Sequence, residues 1–227
     1  MMLARSRPRA LSIATFACAM SCGSVAVAAD ADVRVSSTPV REPPPYGPRI
    51  ALRSGVAVPF GSAYTASGAL SDTITGYVPL RLDVGYRIAR HFYVGVDAQL
   101  ATILPNACPL GATCSGSNVR FGAMAAYHLL PGSVVDPWLG LGMGFERLSV
   151  SRTVDGTTGE ISARGLELLD LDLGVDLRPT RALRIGPVLS STFSRYTRVA
   201  INGNATSDFD PSLHAWVLIG FRGAYDL

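Results

Sequence analysis

Hydrophobic and polar residues alternate along most of the chain after residue 48. In 165–177 the leucines at odd positions face aspartates and glycine at even positions, as Leu171 and Asp172 show. Successive side chains of a β-strand point to opposite faces, so a period of two predicts strands. In 77–104 the alternation occurs twice, separated by a short break at 89–91. That stretch therefore predicts a hairpin.

Eight strands follow from this pattern. Their predicted ranges are 49–60, 77–88, 92–104, 119–129, 137–149, 165–177, 183–195 and 212–227. The connections after strands one, three, five and seven are long and polar, and those after strands two, four and six are short. Long loops at one end of an antiparallel barrel and tight turns at the other are typical of outer-membrane proteins. The sequence predicts an all-β fold, an eight-stranded antiparallel transmembrane β-barrel with long extracellular loops and short periplasmic turns.

The polar face of the strands decides which side of the barrel faces lipid. A soluble barrel of the lipocalin type would bury its apolar face. Here the polar face is rich in glycine, which makes room for long side chains inside a narrow barrel. It also carries six arginines and six acids, namely Arg53, Arg81, Arg87, Arg120, Arg184 and Arg222 with Asp83, Asp97, Glu146, Asp170, Asp172 and Asp176. An unpaired charge is costly in a closed interior, so this balance predicts a charge network in the lumen and an apolar exterior. The order of the strands predicts that Arg120 meets Glu146, that Asp176 meets Arg184, and that Arg81 is the arginine nearest to Asp83 and Asp97.

The N-terminus has the features of an export signal. Three arginines, Arg5, Arg7 and Arg9, precede an apolar run, and small residues lead to a predicted cleavage site after Ala29. We therefore assign residues 1–29 to a signal peptide, 30–48 to a proline-rich periplasmic leader and 49–227 to the barrel. Without the signal the chain has 17 arginines and 17 acids. That balance excludes a nucleic-acid partner of the electrostatic kind.

Two cysteines remain after removal of the signal peptide. Cys108 and Cys114 are close in sequence, and in an exported chain this spacing predicts a local disulfide, with two free thiols as the alternative. Within the signal, Cys22 follows a sequence that faintly resembles a lipoprotein processing site but lacks the usual leucine three residues earlier. Lipidation of Cys22 is left open.

The strand number, the alternating loop lengths and the aromatic residue near the C-terminus resemble the small outer-membrane barrels of the OmpA and OmpX type. The resemblance covers residues 49–227; Tyr225 fits the aromatic register of the last strand, whereas terminal Leu227 departs from it. It implies a monomer in the outer membrane of a Gram-negative bacterium, in contact with outer-membrane lipid and lipopolysaccharide and inserted by the outer-membrane assembly machinery. Aromatic residues near strand ends are expected at the membrane interfaces, namely Tyr77, Tyr86, Phe92, Tyr127 and Tyr225.

Similar barrels include enzymes that modify lipid A, which use a histidine near the outer leaflet. His214 is followed by Ala215 and Trp216 and does not match the His-x-Ser arrangement of one such class. Ser212, His214 and Glu146 form a conceivable hydrolytic set, and packing of His214 beside Trp216 inside the barrel is the favoured alternative.

The aspartates of the sixth strand raise the question of a metal site. Asp170, Asp172 and Asp176 alternate along a strand, whereas calcium sites wrap a loop around the ion, so pairing with arginines is favoured. We predict no catalytic, cofactor or metal site. The favoured function is a structural or surface-interaction role, with exposed loops contacting envelope or external partners and a lumen plugged by paired charges. A narrow pore or small-solute conduit is the alternative.

Overall fold

The computed structural model describes residues 46–62, 70–106, 108–206 and 212–227; the predicted signal peptide and most of the predicted leader lie outside them. The elements are β1 (Gly47–Gly61), α1 (Leu70–Thr73), β2 (Ile74–Arg87), β3 (Phe92–Pro105), β4 (Ala112–His128), β5 (Val135–Val154), β6 (Thr157–Leu177), β7 (Leu183–Ile201), β8 (Asn204–Ala205) and β9 (Leu213–Asp226). No helix within the described ranges is both long and apolar enough to cross a membrane.

The strands of the described ranges close into one antiparallel barrel. Each strand from β1 to β7 pairs with the next in sequence, β9 pairs with β7, and β9 also pairs with β1 from Arg49 opposite Asp226 to Gly61 opposite His214. The two-residue strand β8 pairs only with the end of β7. The predicted eight-stranded antiparallel barrel is therefore confirmed, with β8 as a small addition to one hairpin.

The two ends of the barrel differ. Tight connections at 88–91, 129–134 and 178–182 share one end with the first residue of β1 and the last of β9, and we call it the turn end. The opposite end is the loop end.

At the loop end the strands continue further than the sequence suggests. β5 and β6 contain 20 and 21 residues and are joined by a turn at Asp155 and Gly156, both with positive φ (49° and 77°). A two-residue turn of this kind matches the twist of paired strands. The prediction of a loop over 150–164 was therefore wrong. Only Val150 and Ala163 of this segment pack on the core of the barrel, and most of the residues beyond them are polar or exposed, so the hydrophobic alternation fades while the backbone pairing continues.

The barrel reverses the usual distribution of polar and apolar residues. Asp83 is 0% exposed and points inward, whereas Phe221 is 73% exposed and points outward. Glycines on the inner face make room for large rings: a Cβ at Gly174 would lie 2.5 Å from the ring of Trp138, and one at Gly85 would lie 2.6 Å from the Tyr93 hydroxyl. Small residues inside therefore allow long polar and aromatic side chains to fill the lumen.

The predicted disulfide is present in the structure. Cys108 and Cys114 are bonded at the loop end, with Cα atoms 5.8 Å apart, and the bond links the β3–β4 connection to the start of β4. It lies beyond the lumen and closes only a short segment of chain.

Loss of this disulfide is expected to affect barrel stability only slightly. Because the closed loop is short, the chain-entropy model gives a loss of about 2 kcal/mol or less in the free energy of unfolding. Urea titration of the Cys108→Ser/Cys114→Ser variant against the oxidised native protein measures the loss. Adding reductant should lower the free energy of unfolding of the native protein and leave that of the variant unchanged. A difference above about 4 kcal/mol between the two proteins would contradict a purely local role of the disulfide.

Candidate functional site

Charged side chains occupy the barrel lumen from the turn end to the loop end. Each of the twelve charged residues that the sequence assigned to the lumen is buried, namely Arg53, Arg81, Asp83, Arg87, Asp97, Arg120, Glu146, Asp170, Asp172, Asp176, Arg184 and Arg222. The strand alternation explains this, since every second residue points inward. The partner of each charge depends on contacts across the lumen.

Arg53 connects three strands near the middle of the lumen. Its Nη1 lies 2.7 Å from Asp172 of β6, and its Nη2 lies 2.9 Å from Asp83 of β2. Ser190 of β7 donates a second hydrogen bond to Asp172, at 2.5 Å. Arg53 is 1% exposed, so this guanidinium and its two carboxylates form a buried cluster.

Arg81 forms the next cluster toward the loop end. Its Nη1 lies 2.6 Å from Asp170, and its Nε lies 3.0 Å from Asp97 and 3.4 Å from Asp83. Asp83 and Asp97 face each other across the β2–β3 hairpin. The arginine expected between them from the sequence is therefore in place, and it also holds an acid of β6.

The partner of Arg120 differs from expectation. Arg120 and Glu146 are register neighbours, as the sequence suggested, but Arg120 binds Glu167 of β6 through Nε at 2.6 Å and through Nη2. The expected pairing with Glu146 is wrong because a β-bulge between Glu167 and Leu169 turns Glu167 inward. Simple alternation would have placed Glu167 on the lipid side. A charge at an otherwise apolar register position was the signal for that bulge.

Glu146 instead joins a group of neutral and aromatic side chains at the loop end. It accepts hydrogen bonds from Asn118 (2.6 Å), Trp216 (3.1 Å) and Tyr196 (3.2 Å), and His214 Nε2 lies 3.3 Å from its carboxylate. His214 also stacks on the Tyr196 ring, with centroids 4.1 Å apart. This polar group closes the upper lumen.

An apolar layer lies above Glu146. Tyr77 is buried inside the barrel with its ring 4.6 Å from that of Trp216, so its expected place at the lipid interface was wrong. Inward residues from five elements then form a small core, namely Leu70, Ile74, Ile103, Leu148 and Val199. The loop end of the lumen is therefore packed with side chains.

The turn end holds a second set of ion pairs. Asp226 lies 2.6 Å from Arg49 Nε and 2.9 Å from Arg184 Nε, and Arg184 also reaches Asp136 at 2.8 Å. The expected neighbour Asp176 is 4.0 Å from Arg184 and closer, at 3.2 Å, to Arg222. The alternation did not predict the lumen positions of Arg49, Asp136 and Asp226, because these residues lie near the ends of β1, β5 and β9.

Comparison with known proteins gives a result at the level of fold. No protein-family model matches the chain, and no curated protein matches it. Among solved structures, a major outer membrane protein from Thermus thermophilus has a TM-score of 0.54 at 15% identity, over 80% of this chain and 99% of that one. The protein has the fold of a small outer-membrane β-barrel.

Other small outer-membrane barrels align at lower scores. Neisserial surface protein A has a TM-score of 0.49 at 16% identity, over 81% of this chain and 98% of its own. OprG from Pseudomonas aeruginosa has a TM-score of 0.43 at 13% identity, over 82% and 98%. At these identities the likeness concerns fold alone.

The structure of this outer-membrane barrel shows how Ser212, His214 and Glu146, the conceivable hydrolytic set, are arranged. His214 lies inside the lumen beside Trp216, with ring centroids 6.5 Å apart, as the favoured alternative expected. Glu146 contacts His214, but no hydrogen bond joins Ser212 to His214 within the described residues. The three residues therefore do not form a connected nucleophile and base.

The aspartates of β6 are engaged by cations of the protein. Asp172 pairs with Arg53, Asp170 with Arg81, and Asp176 with Arg222. No group of three or more acidic, histidine or cysteine side chains within the described ranges is arranged to hold a metal ion. The charges of the lumen thus neutralise one another across the barrel.

Proposed function

We propose that the protein is a structural or surface-interaction barrel of the outer membrane, with its lumen plugged by paired charges. The observation that carries this proposal is the occupation of the lumen at every depth. Ion pairs fill the turn end and the middle, and the Glu146 group and an apolar layer fill the loop end. A barrel packed in this way offers its exterior and its loops for contact, not its interior for transport.

The proposed orientation places the turn end in the periplasm and the loop end outside the cell. The export signal predicted at 1–29 supports passage to the envelope, and short periplasmic turns are the rule in such barrels. The protein would then insert as a monomer with the help of the outer-membrane assembly machinery. Its apolar exterior would contact lipid, and the extended β5–β6 hairpin would project from the membrane.

We expect no steady conductance from the refolded protein in planar lipid bilayers. Every lumen arginine that would have to move for ions to pass is held by a carboxylate or by a backbone carbonyl. Single-channel recording at several voltages measures this directly. The Arg120→Ala variant should at most show brief openings, because it leaves the apolar layer in place.

A stable open channel in the unmodified protein would overturn the plugged-lumen proposal. If its ion selectivity also changed on Arg81→Gln or Asp172→Asn, the pore would be the better function. The Arg181→Gln variant, altered at an exposed turn residue, is the matched control and should behave as the native protein does.

A further inference from the structure

The outer surface of the barrel carries a cluster of arginines on adjacent strands. Arg147 of β5 lies opposite Arg164 of β6, which lies opposite Arg198 of β7. Arg195 of β7 lies one step nearer the turn end, opposite Leu166. All four side chains are exposed, and we call them the arginine cluster. Three neighbouring strands therefore present four positive charges on one patch.

The arginine cluster is not neutralised by the protein. None of its members forms an ion pair with an acid of the described residues, in contrast to the arginines of the lumen. On the same face of β6 the nearest acid is Glu160, four residues away and so about 13 Å along the strand. Like charges directly opposite one another destabilise a sheet. An external anion is the natural complement to such a row.

The arginine cluster lies at the border of the lipid-facing band. Immediately toward the turn end, Phe121, Phe145 and Leu166 share one register level, and all three are exposed. Immediately toward the loop end, serines at 149 and 162 replace the apolar residues. The guanidinium groups thus lie at the height where lipid headgroups meet the acyl chains.

An apolar groove runs below the arginine cluster on the same side of the barrel. It has a volume of about 520 Å³ and is lined by Phe121, Ala123, Met143, Phe145, Leu166 and Leu168. Gly122, Gly144 and Glu167, whose carboxylate binds Arg120 in the lumen, complete its lining. Charge above and an apolar groove below match the two halves of one lipid.

We propose that the arginine cluster and this groove bind a phosphorylated glycolipid of the outer leaflet, of the lipopolysaccharide type. The phosphates would lie on Arg147, Arg164 and Arg198, whose planar guanidinium groups suit bidentate contact with phosphate oxygens. One acyl chain would lie in the groove. The proposal rests on the orientation given above, with the loop end outside the cell, and it gives the exposed surface a ligand class.

The test is binding of bisphosphorylated lipid A to the detergent-refolded full chain, measured by native mass spectrometry. The Arg147→Gln/Arg164→Gln/Arg198→Gln variant should bind at least about tenfold more weakly, since one charge-assisted hydrogen bond is worth about that factor. Arg181→Gln, an exposed arginine at the turn end, should bind as the native protein does. Unchanged binding by the triple variant would overturn the proposal.

The groove is tested separately with a side chain that fills it. Ala123→Phe should weaken binding of lipid A, whereas Ala125→Phe, on the same strand and face but outside the groove, should not. Equal effects of the two would overturn the acyl part of the proposal. Heat-dependent migration in gels shows whether each variant is folded. A triple arginine variant that fails this check is replaced by its single substitutions, and Ala123→Phe and Ala125→Phe are replaced by the smaller Ala123→Leu and Ala125→Leu.

Two further ligands identify what the arginine cluster recognises. Inorganic phosphate should not compete at concentrations where lipid A binds, and phosphatidylglycerol should bind more weakly than lipid A. Equal binding of phosphatidylglycerol, lost equally in the triple variant, would mean a general anionic patch and overturn the glycolipid assignment. Conductance is measured on the lumen and lipid binding on the exterior, so either proposal can fail while the other stands.

Discussion

Leu171→Arg is expected to lower the free energy of unfolding of the barrel in lipid vesicles by about 2–4 kcal/mol. Leu171 lies near the middle of the lipid-facing part of β6, between Leu141 and Ser191 on the neighbouring strands, and points outward. A guanidinium at that depth must be hydrated or reach toward the interface, and both are costly. Urea titration monitored by tryptophan fluorescence measures the difference.

Leu177→Arg is the matched control for this substitution. Leu177 is the last residue of β6, on the same outward face but at the turn end. Arginine near an interface costs about 0–1 kcal/mol in such barrels. Equal losses for the two variants would show that the outward face does not meet the hydrocarbon core, and the orientation of the strands relative to the membrane would have to be revised.

The sequence predicts the strands well because each has two different environments. On β2, Leu82 and Val84 face outward while Asp83 is buried, and the alternation reports that difference directly. Where the two environments become alike, the signal is lost. Beyond Val150 polar residues predominate on both faces of the β5–β6 hairpin, and Val154 and Ile161 alone show no alternation, so the sequence did not distinguish a paired hairpin from a loop.

The lumen contacts were harder to predict than the lumen residues. The alternation predicts that Arg53 and Asp172 both point inward. These two residues are 119 positions apart in the sequence, however, and lie on strands that do not pair. Which inward residues meet depends on the tilt and stagger of the closed barrel, which no local pattern records. Glu167 adds a second difficulty, because the bulge that turns it inward shifts the alternation by one residue.

Arg53→Met is expected to be the most damaging substitution in the lumen. It leaves Asp83 and Asp172 buried without the guanidinium that both contact, at 2.9 Å and 2.7 Å. Removing one partner of a buried ion pair costs about 3–5 kcal/mol, since the remaining charge is uncompensated. Urea titration in vesicles again measures the loss. Arg181→Met, at an exposed turn position, should stay within about 0.5 kcal/mol of the native protein.

A second substitution separates loss of charge balance from loss of packing. Asp172→Asn on the Arg53→Met background removes one of the uncompensated charges while retaining an acceptor for Ser190. The double variant should therefore lose less free energy of unfolding than the sum of the two single losses, by about 1–3 kcal/mol. Substitutions of residues that contact one another are usually non-additive by an amount of this size. Strictly additive losses would show that Arg53 stabilises the barrel by filling space alone. In that case the plug would depend on the shape of its side chains, and paired charge would be incidental to it.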